Sequence, residues 1–277
     1  MAIFDNHFHL RPSGLGVAAA SQFEKAGGTA LMLTHSPYDD IPIRTADDYA
    51  QAFDRTLSLA DAVRRETRLQ VFVALGPYPI DLLPLQASTG LAAATEVLRG
   101  GIEIAARHVA DGMAVALGEV GRPHFPVDEE VWRASNAILA YAMETARDLG
   151  CPVVLHTEDP SADTFREFAA MADRAGLRRE KVVKHHSTVL DAHDAYDGIV
   201  PSVLAKEDLI ERAVRAGGSF LLETDYIDDP RRPGAVLGPA TVPRKTRALL
   251  ERGVLTEDLV AQIHEEIPER TYGINLR

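Results

Sequence analysis

The chain has 277 residues, a formal net charge of −12 and 46% hydrophobic residues. This length accommodates one α/β barrel domain over residues 1–277, although it would also permit two domains. The acidic balance disfavours a long nucleic acid duplex as a partner, and the single cysteine excludes both an intrachain disulfide and a cysteine-rich zinc site.

Two further exclusions concern location. The first residues lack a basic segment followed by an apolar one, and no apolar run approaches the roughly 18 residues that span a bilayer. We therefore expect a soluble, cytoplasmic protein with no membrane partner. No nucleotide-binding glycine motif is visible either.

Short β-rich apolar runs alternate along the chain with longer segments of helical periodicity, which is the pattern of repeated βα units. The predicted strands cover residues 2–9, 30–34, 70–75, 114–119, 152–156, 181–186, 198–203 and 219–224. The predicted helices cover residues 46–66, 91–108, 129–149, 161–175, 206–216 and 244–266. Gly150, Gly176 and Gly217 each follow a predicted helix, where a positive φ is often needed. Eight such strands predict an α/β fold of the (β/α)8 TIM-barrel class.

Histidines and carboxylates stand at the ends of five predicted strands. Barrel active sites form at the C-terminal strand ends, and residues i and i+2 of one strand share a face. Each such residue taken alone has an ordinary structural interpretation, but their convergence on one barrel mouth favours a metal site. The residues at these ends are His7, His9, Glu119, His156, the pair His185 and His186, and Asp225.

These elements resemble a known group of enzymes. Asp-x-His-x-His on strand one, Gly-Glu-Val-Gly on strand four, histidines on strands five and six, and Glu-Thr-Asp on strand eight are similar to the metal-dependent amidohydrolase superfamily. The closest likeness is to TatD-related hydrolases, and among them to archaeal predicted metal-dependent hydrolases of TIM-barrel fold. The resemblance spans nearly the whole chain.

The resemblance implies a ligand set. It assigns His7, His9 and Asp225 to one divalent metal, with Glu119 bridging to a second ion held by His156 and a strand-six histidine. For that histidine we prefer His186 to His185, because the family ligand is typically followed by a small polar residue such as Ser187. One or two ions are expected, Zn or Mn first, while Mg, Ni, Co and Fe also suit such ligands.

The resemblance also implies roles in catalysis. Asp225 and Glu119 are the expected catalytic residues, with Asp225 as the proton acceptor next to a metal-activated water. Asp5 is expected to orient an imidazole through its free N–H. The chain departs from the family pattern after Glu119, where Gly-Arg-Pro-His follows.

Substrate contacts are less constrained. Arg122, His124 and Lys206 are candidates for binding an anionic group, with Lys184 and Tyr226 beside them, although ordinary surface positions are the alternative. The leading hypothesis is a TatD-like metal-dependent hydrolase that acts as a phosphodiesterase or deoxyribonuclease on a short phosphodiester. The alternatives are an amidohydrolase or lactonase acting on a small-molecule C–N or C–O bond, and a metal-binding barrel without turnover.

Overall fold

The computed structural model describes residues 1–276 and contains eight parallel strands that follow one another around a sheet in sequence order. The strands are β1 (Phe4–Phe8), β2 (Ala30–Thr34), β3 (Gln70–Leu75), β4 (Ala116–Gly121), β5 (Val153–His156), β6 (Val182–Lys184), β7 (Val200–Leu204) and β8 (Leu221–Glu223). The sheet closes where Phe8 bridges to Tyr226 and the N–H of His9 donates to the carbonyl of Tyr226. The fold is therefore the predicted (β/α)8 barrel.

Helices surround this sheet. They are α1 (Val17–Lys25), α2 (Ala46–Glu66), α3 (Leu82–Thr89), α4 (Leu91–Ala110), α5 (Glu129–Leu149), α6 (Ala162–Ala175), α7 (Glu207–Arg215), α8 (Thr241–Glu251), α9 (Glu257–Ala261) and α10 (Ile267–Tyr272), with a π-helical turn at Gln262–Glu266. Short 3-10 turns lie at Pro79–Asp81, Arg179–Lys181 and His193–Tyr196. Among the described residues, none of these helices is long and apolar enough to cross a membrane.

The barrel interior begins with an apolar layer to which every strand contributes. Ile267, Tyr272 and Leu276 at the chain's end cover this layer, so α10 closes the N-terminal mouth of the barrel. A larger apolar shell lies between the strands and the helices. The interior layer consists of Phe4, Ala30, Met32, Ala74, Ala116, Val154, Val183, Val200 and Leu221.

The first strand is irregular at the residues that carry the histidine motif. Asp5 pairs with Leu31 and Phe8 with Leu33, so β1 has one residue more than β2 over this stretch. Such a bulge reverses the alternation of side chains. Phe4 can therefore face the barrel interior while Phe8 packs outside against Phe23, with His7 and His9 pointing inward.

All eight predicted strands are present, and Gly150 and Gly176 adopt the expected left-handed conformation after their helices. Three helices, α1, α3 and α10, were not predicted. The final predicted helix over 244–266 is interrupted, because Gly253 takes a φ of 72° and starts a turn between α8 and α9.

Candidate metal centre

The bulge in β1 places His7 and His9 side by side at the C-terminal mouth of the barrel. Their Nε2 atoms lie 3.1 Å apart, and both residues are almost fully buried. Nδ1 of His9 lies 2.9 Å from the carbonyl oxygen of Thr34, which fixes the ring so that Nε2 faces the mouth. The i, i+2 spacing in the sequence thus corresponds to two imidazole nitrogens aimed at one point.

Glu119 occupies a second irregularity, in β4. Gly118 pairs with Val154 and Val120 with Leu155, so Glu119 is an extra residue that projects into the mouth. One carboxylate oxygen, Oε1, lies 2.8 Å from Nε2 of His185 and 3.2 Å from both Nε2 of His7 and Nδ1 of His156. A single buried oxygen therefore faces three imidazoles from three different strands.

Asp225 completes the group on the opposite side. It follows β8 with a φ of 47°, and its carboxylate lies 3.6 Å from Nε2 of His9 and 3.0 Å from Nδ1 of His186. Asp5 accepts hydrogen bonds from the backbone N–H and hydroxyl of Thr224 and from the N–H of His7. Asp5 thus ties β1 to β8 through the backbone, and it does not contact a ring N–H as the sequence analysis expected.

The structure places the two strand-six histidines differently from the prediction, which preferred His186 as the metal ligand. Val183 faces the barrel interior, so His185, two residues later, faces it too and lies with Glu119 and His156. His186 has a φ of 47°, contacts Asp225 instead of Glu119, and has a side chain that is 44% exposed. The structure therefore brings His185, and not His186, to the position expected for the ligand.

Burial and mutual charge shift the ionisation of this group. Burial alone would raise the pKa of Glu119, but His156 and His185 hold it well below its usual range. Burial would likewise raise the pKa of Asp225, and its contacts with His186 and His9 lower it instead. Desolvation lowers the pKa of His185, but the attraction of Glu119 and Glu223 together outweighs it and raises this pKa to about 10. Glu119 and Asp225 are therefore ionised in a buried site, where positive charge bound between them would stabilise them.

The residues present fit a divalent metal. The ligand atoms form three overlapping sets within which all atoms lie within 4.8 Å of one another: His7, His9 and Asp225; Glu119, His156 and His185; and His7, His185 and Glu223. Nδ1 of His7 and Nδ1 of His185 are buried and have no hydrogen-bond partner. Imidazole nitrogens and carboxylate oxygens converging in this way are the donor set that Zn²⁺ and similar ions prefer.

Glu223 belongs to the site but was not predicted from the sequence as a site residue. It shares the interior face with Leu221, accepts a hydrogen bond from the hydroxyl of Ser202 and another from the N–H of His186, and lies 3.5 Å from Nδ1 of His185. Asn6 donates to the same Ser202 hydroxyl, so a buried polar layer supports the ligand group from below. The alternation of Glu223 with Asp225 in Glu-Thr-Asp was the available signal.

A cavity of about 590 Å³ opens over this group. It is lined by His9, Glu119, His156, His185, His186 and Asp225 together with loop residues Arg11, Ser36, Pro37, Asp39, Tyr78, His124, Thr157, Asp159, Ile227, Asp229, Arg231 and Arg232. Arg231 and Arg232 at the rim are both paired with Asp229. Arg11 and Ser36 were not predicted as site residues.

The predicted substrate contacts divide into two groups. His124 does line the cavity, with Nδ1 2.9 Å from Nε2 of His156. Arg122 does not reach the cavity: it is 1% exposed, pairs with Glu158 and Glu167, and stacks on Trp132. Its role is structural, because all of its guanidinium nitrogens are bound within the protein.

The remaining candidates also lie outside the cavity lining. Lys206 is exposed at the residue preceding α7. Lys184 points away from the barrel axis, and its Nζ donates to the carbonyl of His185. The hydroxyl of Tyr226 donates to Asp228. The structure thus corrects the prediction for Arg122 and Lys206, which lie outside the cavity lining, while substrate binding by His124 stays a prediction.

Comparison with known proteins gives one family and several relatives. The model of the TatD-related DNase family matches residues 4–273. An uncharacterized protein of Methanocaldococcus jannaschii is 38% identical over the whole of this chain and 97% of its own length. The fold is similar to the TatD homologue YjjV of Escherichia coli (22% identity, 98% of both chains, TM-score 0.67). It is also similar to a phosphotriesterase homology protein of Escherichia coli complexed with phosphate in its active site (14% identity, 98% of both chains, TM-score 0.65).

Proposed function

Because the chain belongs to the TatD-related DNase family, we propose that it is a metal-dependent hydrolase that cleaves phosphodiester bonds in short substrates. The family and the ligand-like clustering at the barrel mouth both support hydrolysis assisted by a divalent metal. The phosphate in the active site of the phosphotriesterase homology protein adds support for a phosphoryl substrate in this kind of barrel.

The single observation that carries the proposal is the position of Glu119. Its Oε1 atom faces His7 from one ligand set and both His156 and His185 from the other. A carboxylate shared in this way suits two adjacent cation positions, the first with His7, His9 and Asp225 and the second with His156 and His185. Divalent ions held there would lower the pKa of a bound water and polarise a phosphoryl oxygen.

Asp225 is the proton acceptor in this proposal. Its carboxylate lies at the mouth, 3.6 Å from Nε2 of His9, and it lines the cavity, where it can accept a proton from the attacking water. His186 contacts the Oδ2 atom of Asp225 at 3.0 Å and is 44% exposed. We assign to His186 the transfer of that proton from Asp225 to solvent.

The shape of the cavity limits the substrate. A volume of about 590 Å³ lies within the range of small-molecule sites, and it holds a nucleotide-sized group rather than a stretch of duplex. The chain's net charge of −12 also opposes close approach of a long polyanion. We therefore place the scissile bond near the end of a short chain.

The first experiment measures metal and activity together. Protein purified without chelator or nickel affinity is analysed for metals and then assayed with Zn²⁺ or Mn²⁺ on the dinucleotide dTpdT, bis(p-nitrophenyl) phosphate, a lactone and a cyclic amide. We expect one or two ions per chain and phosphodiester hydrolysis. Glu119→Gln and His7→Ala should lose both metal and activity, while His193→Ala, an exposed histidine outside the site, should keep the metal.

Two results would contradict the proposal. Hydrolysis of the lactone or amide with no phosphodiester turnover would assign the site to C–O or C–N bonds of small molecules. Absence of bound metal even after reconstitution would remove the metal-dependent mechanism altogether.

A further inference from the structure

Among the residues that the structure describes, Arg11 lines the cavity with most of its hydrogen-bonding capacity unused. Its side chain is only 11% exposed, Nε is buried without a partner, and its closest ion pair is a loose 3.8 Å contact with Asp39. Asp39 is itself 65% exposed and lies 2.8 Å from Arg231. A largely buried guanidinium without a close partner is energetically costly, and a bound anion would offset that cost.

Ser36 presents a second unused donor to the same cavity. Its Oγ atom is buried and has no hydrogen-bond partner. Phe8 pairs with Leu33 between β1 and β2, and three residues further along each segment Arg11 and Ser36 line the same cavity. Nδ1 of His9 lies 2.9 Å from the carbonyl oxygen of Thr34, so the segments that lead to Arg11 and to Ser36 are in contact. Two unpaired donors on neighbouring strand ends thus face one space.

The backbone at Arg11 is fixed. Asp228, which is 2% exposed, accepts hydrogen bonds from the N–H groups of Arg11, Leu15 and Gly16 and from the hydroxyl of Tyr226. This carboxylate therefore joins the loop after β1 to the loop after β8. A guanidinium held on a fixed backbone is preorganised, which lowers the entropic cost of binding a ligand.

Arg11 lines the same cavity as the ligand group. His7, His9 and Arg11 follow one another at two-residue intervals, so Arg11 is roughly 7 Å further along the chain than His9. The planar guanidinium fork matches the oxygens of a phosphate, and a hydroxyl beside it adds a further donor. A phosphate there would sit next to the reacting group without being the group that is hydrolysed.

We propose that Arg11 and Ser36 bind a phosphate of the substrate that is adjacent to the scissile phosphodiester. This rests on the proposed function and narrows its substrate class to short oligonucleotides or nucleotides that carry a second phosphate. Arg231 and Arg232 are not part of this subsite, because Asp229 already pairs with both.

The test compares dTpdT with its 5′-phosphorylated and 3′-phosphorylated forms. We expect one phosphorylated form to be hydrolysed with kcat/KM about tenfold or more above that of dTpdT. In Arg11→Met and Ser36→Ala this ratio should fall towards one, and in the control Arg232→Met it should stay as in the wild type. Thermal melting of each variant checks that it is folded.

A binding measurement keeps the inference separate from catalysis. Inorganic phosphate is titrated calorimetrically into the metal-free and the Zn²⁺-loaded protein, and we expect Arg11→Met to weaken its binding about tenfold in both forms. Unchanged phosphate binding in Arg11→Met, or tighter binding of acetate than of phosphate, would overturn the inference. Hydrolysis of dTpdT with no preference for a phosphorylated form would also overturn it while leaving the proposed function in place.

Discussion

His185 and His186 differ by one position in the chain and by their whole environment in the barrel. His185 contacts a buried carboxylate oxygen at 2.8 Å, whereas His186 is 44% exposed at the rim. The reason is strand alternation: an interior Val183 fixes the side of the residue two positions later. The sequence around these two histidines could not show this. In a strand of three residues, pairing with the neighbouring strands decides which side chains face the barrel interior.

This contrast gives the first prediction. His185→Ala should reduce the metal content by about one ion per chain, because it removes a nitrogen from the set with Glu119 and His156. His186→Ala should retain the metal and lower kcat, because it removes only the partner of Asp225. Elemental analysis and steady-state kinetics on both variants measure this. Loss of metal in His186→Ala alone would reverse the assignment.

Arg122 gives a second prediction for a single residue, this time about stability. Its guanidinium pairs with Glu158 and Glu167, which are 28% and 44% exposed, and it stacks on Trp132. Arg122→Met should lower the free energy of unfolding by about 2 kcal/mol, because it leaves both carboxylates unpaired while solvent screens part of the loss.

Urea denaturation of this variant has a natural control in Arg133→Met. Arg133 forms a surface pair with Glu129 in α5, so its loss should cost less than about 0.5 kcal/mol. Equal stabilities for the two variants would show that the buried pairs contribute nothing beyond a surface pair.

Among the elements, the irregular strands are what assemble the site. The extra residue in β1 turns His7 and His9 inward, and the extra residue in β4 does the same for Glu119. Gly121 permits the close approach of β5, since a Cβ there would lie 2.1 Å from the carbonyl oxygen of His156 and its φ is 150°. Regular strands with the same sequence would point these side chains elsewhere.

The segment that closes the other mouth carries a pH-sensitive contact. His264 is buried in the π-helical turn, with Nδ1 3.1 Å from the N–H of Phe4 and Nε2 3.0 Å from the hydroxyl of Thr246. Burial lowers its pKa from 6.5 to about 4. The unfolded chain therefore binds this proton at a higher pH than the folded protein does.

The lowered pKa of His264 predicts how the stability of the protein depends on pH. The free energy of unfolding should fall as the pH decreases from about 6.5 to about 4, with a contribution from His264 of up to roughly 3 kcal/mol. His264→Gln should remove that contribution, so the difference between wild type and variant should change across this interval and stay constant above pH 7. Urea denaturation at several pH values measures it. A difference independent of pH would show that His264 does not titrate as its burial requires.

For the whole molecule, the net charge and the size of the cavity both disfavour a long duplex as substrate. The net charge of −12 repels a long duplex, and the cavity holds about 590 Å³. Salt screens such repulsion. We therefore predict that cleavage of a long duplex is slower per bond than cleavage of a dinucleotide and that it rises as the salt concentration goes from about 50 to about 200 mM.

Initial rates on a linear duplex and on dTpdT at matched metal concentration provide the measurement. Nucleases that depend on phosphate contacts with basic surfaces lose affinity over the same salt interval. A rate on duplex that drops steeply with salt would reveal a local basic surface that outweighs the net charge.

The sequence by itself determined the barrel class, its eight strands and which residue types end them. Hydrophobic periodicity and glycine positions are local properties, so strands such as Ala30–Thr34 and helices such as Glu129–Leu149 were predicted within their observed bounds. The histidine and carboxylate positions were visible for the same reason, since strand ends converge in any barrel of this kind.

Only the tertiary structure decided which of these side chains meet. The bulges at His7 and Glu119, the inward parity of His185 and Glu223, and the burial of Arg122 all depend on how one strand pairs with the next. The lack of a hydrogen-bond partner for Nε of Arg11 and Oγ of Ser36 likewise depends on how the loops after β1 and β2 pack. Register and packing are non-local, because a shift of one residue moves a side chain to the other face of the sheet.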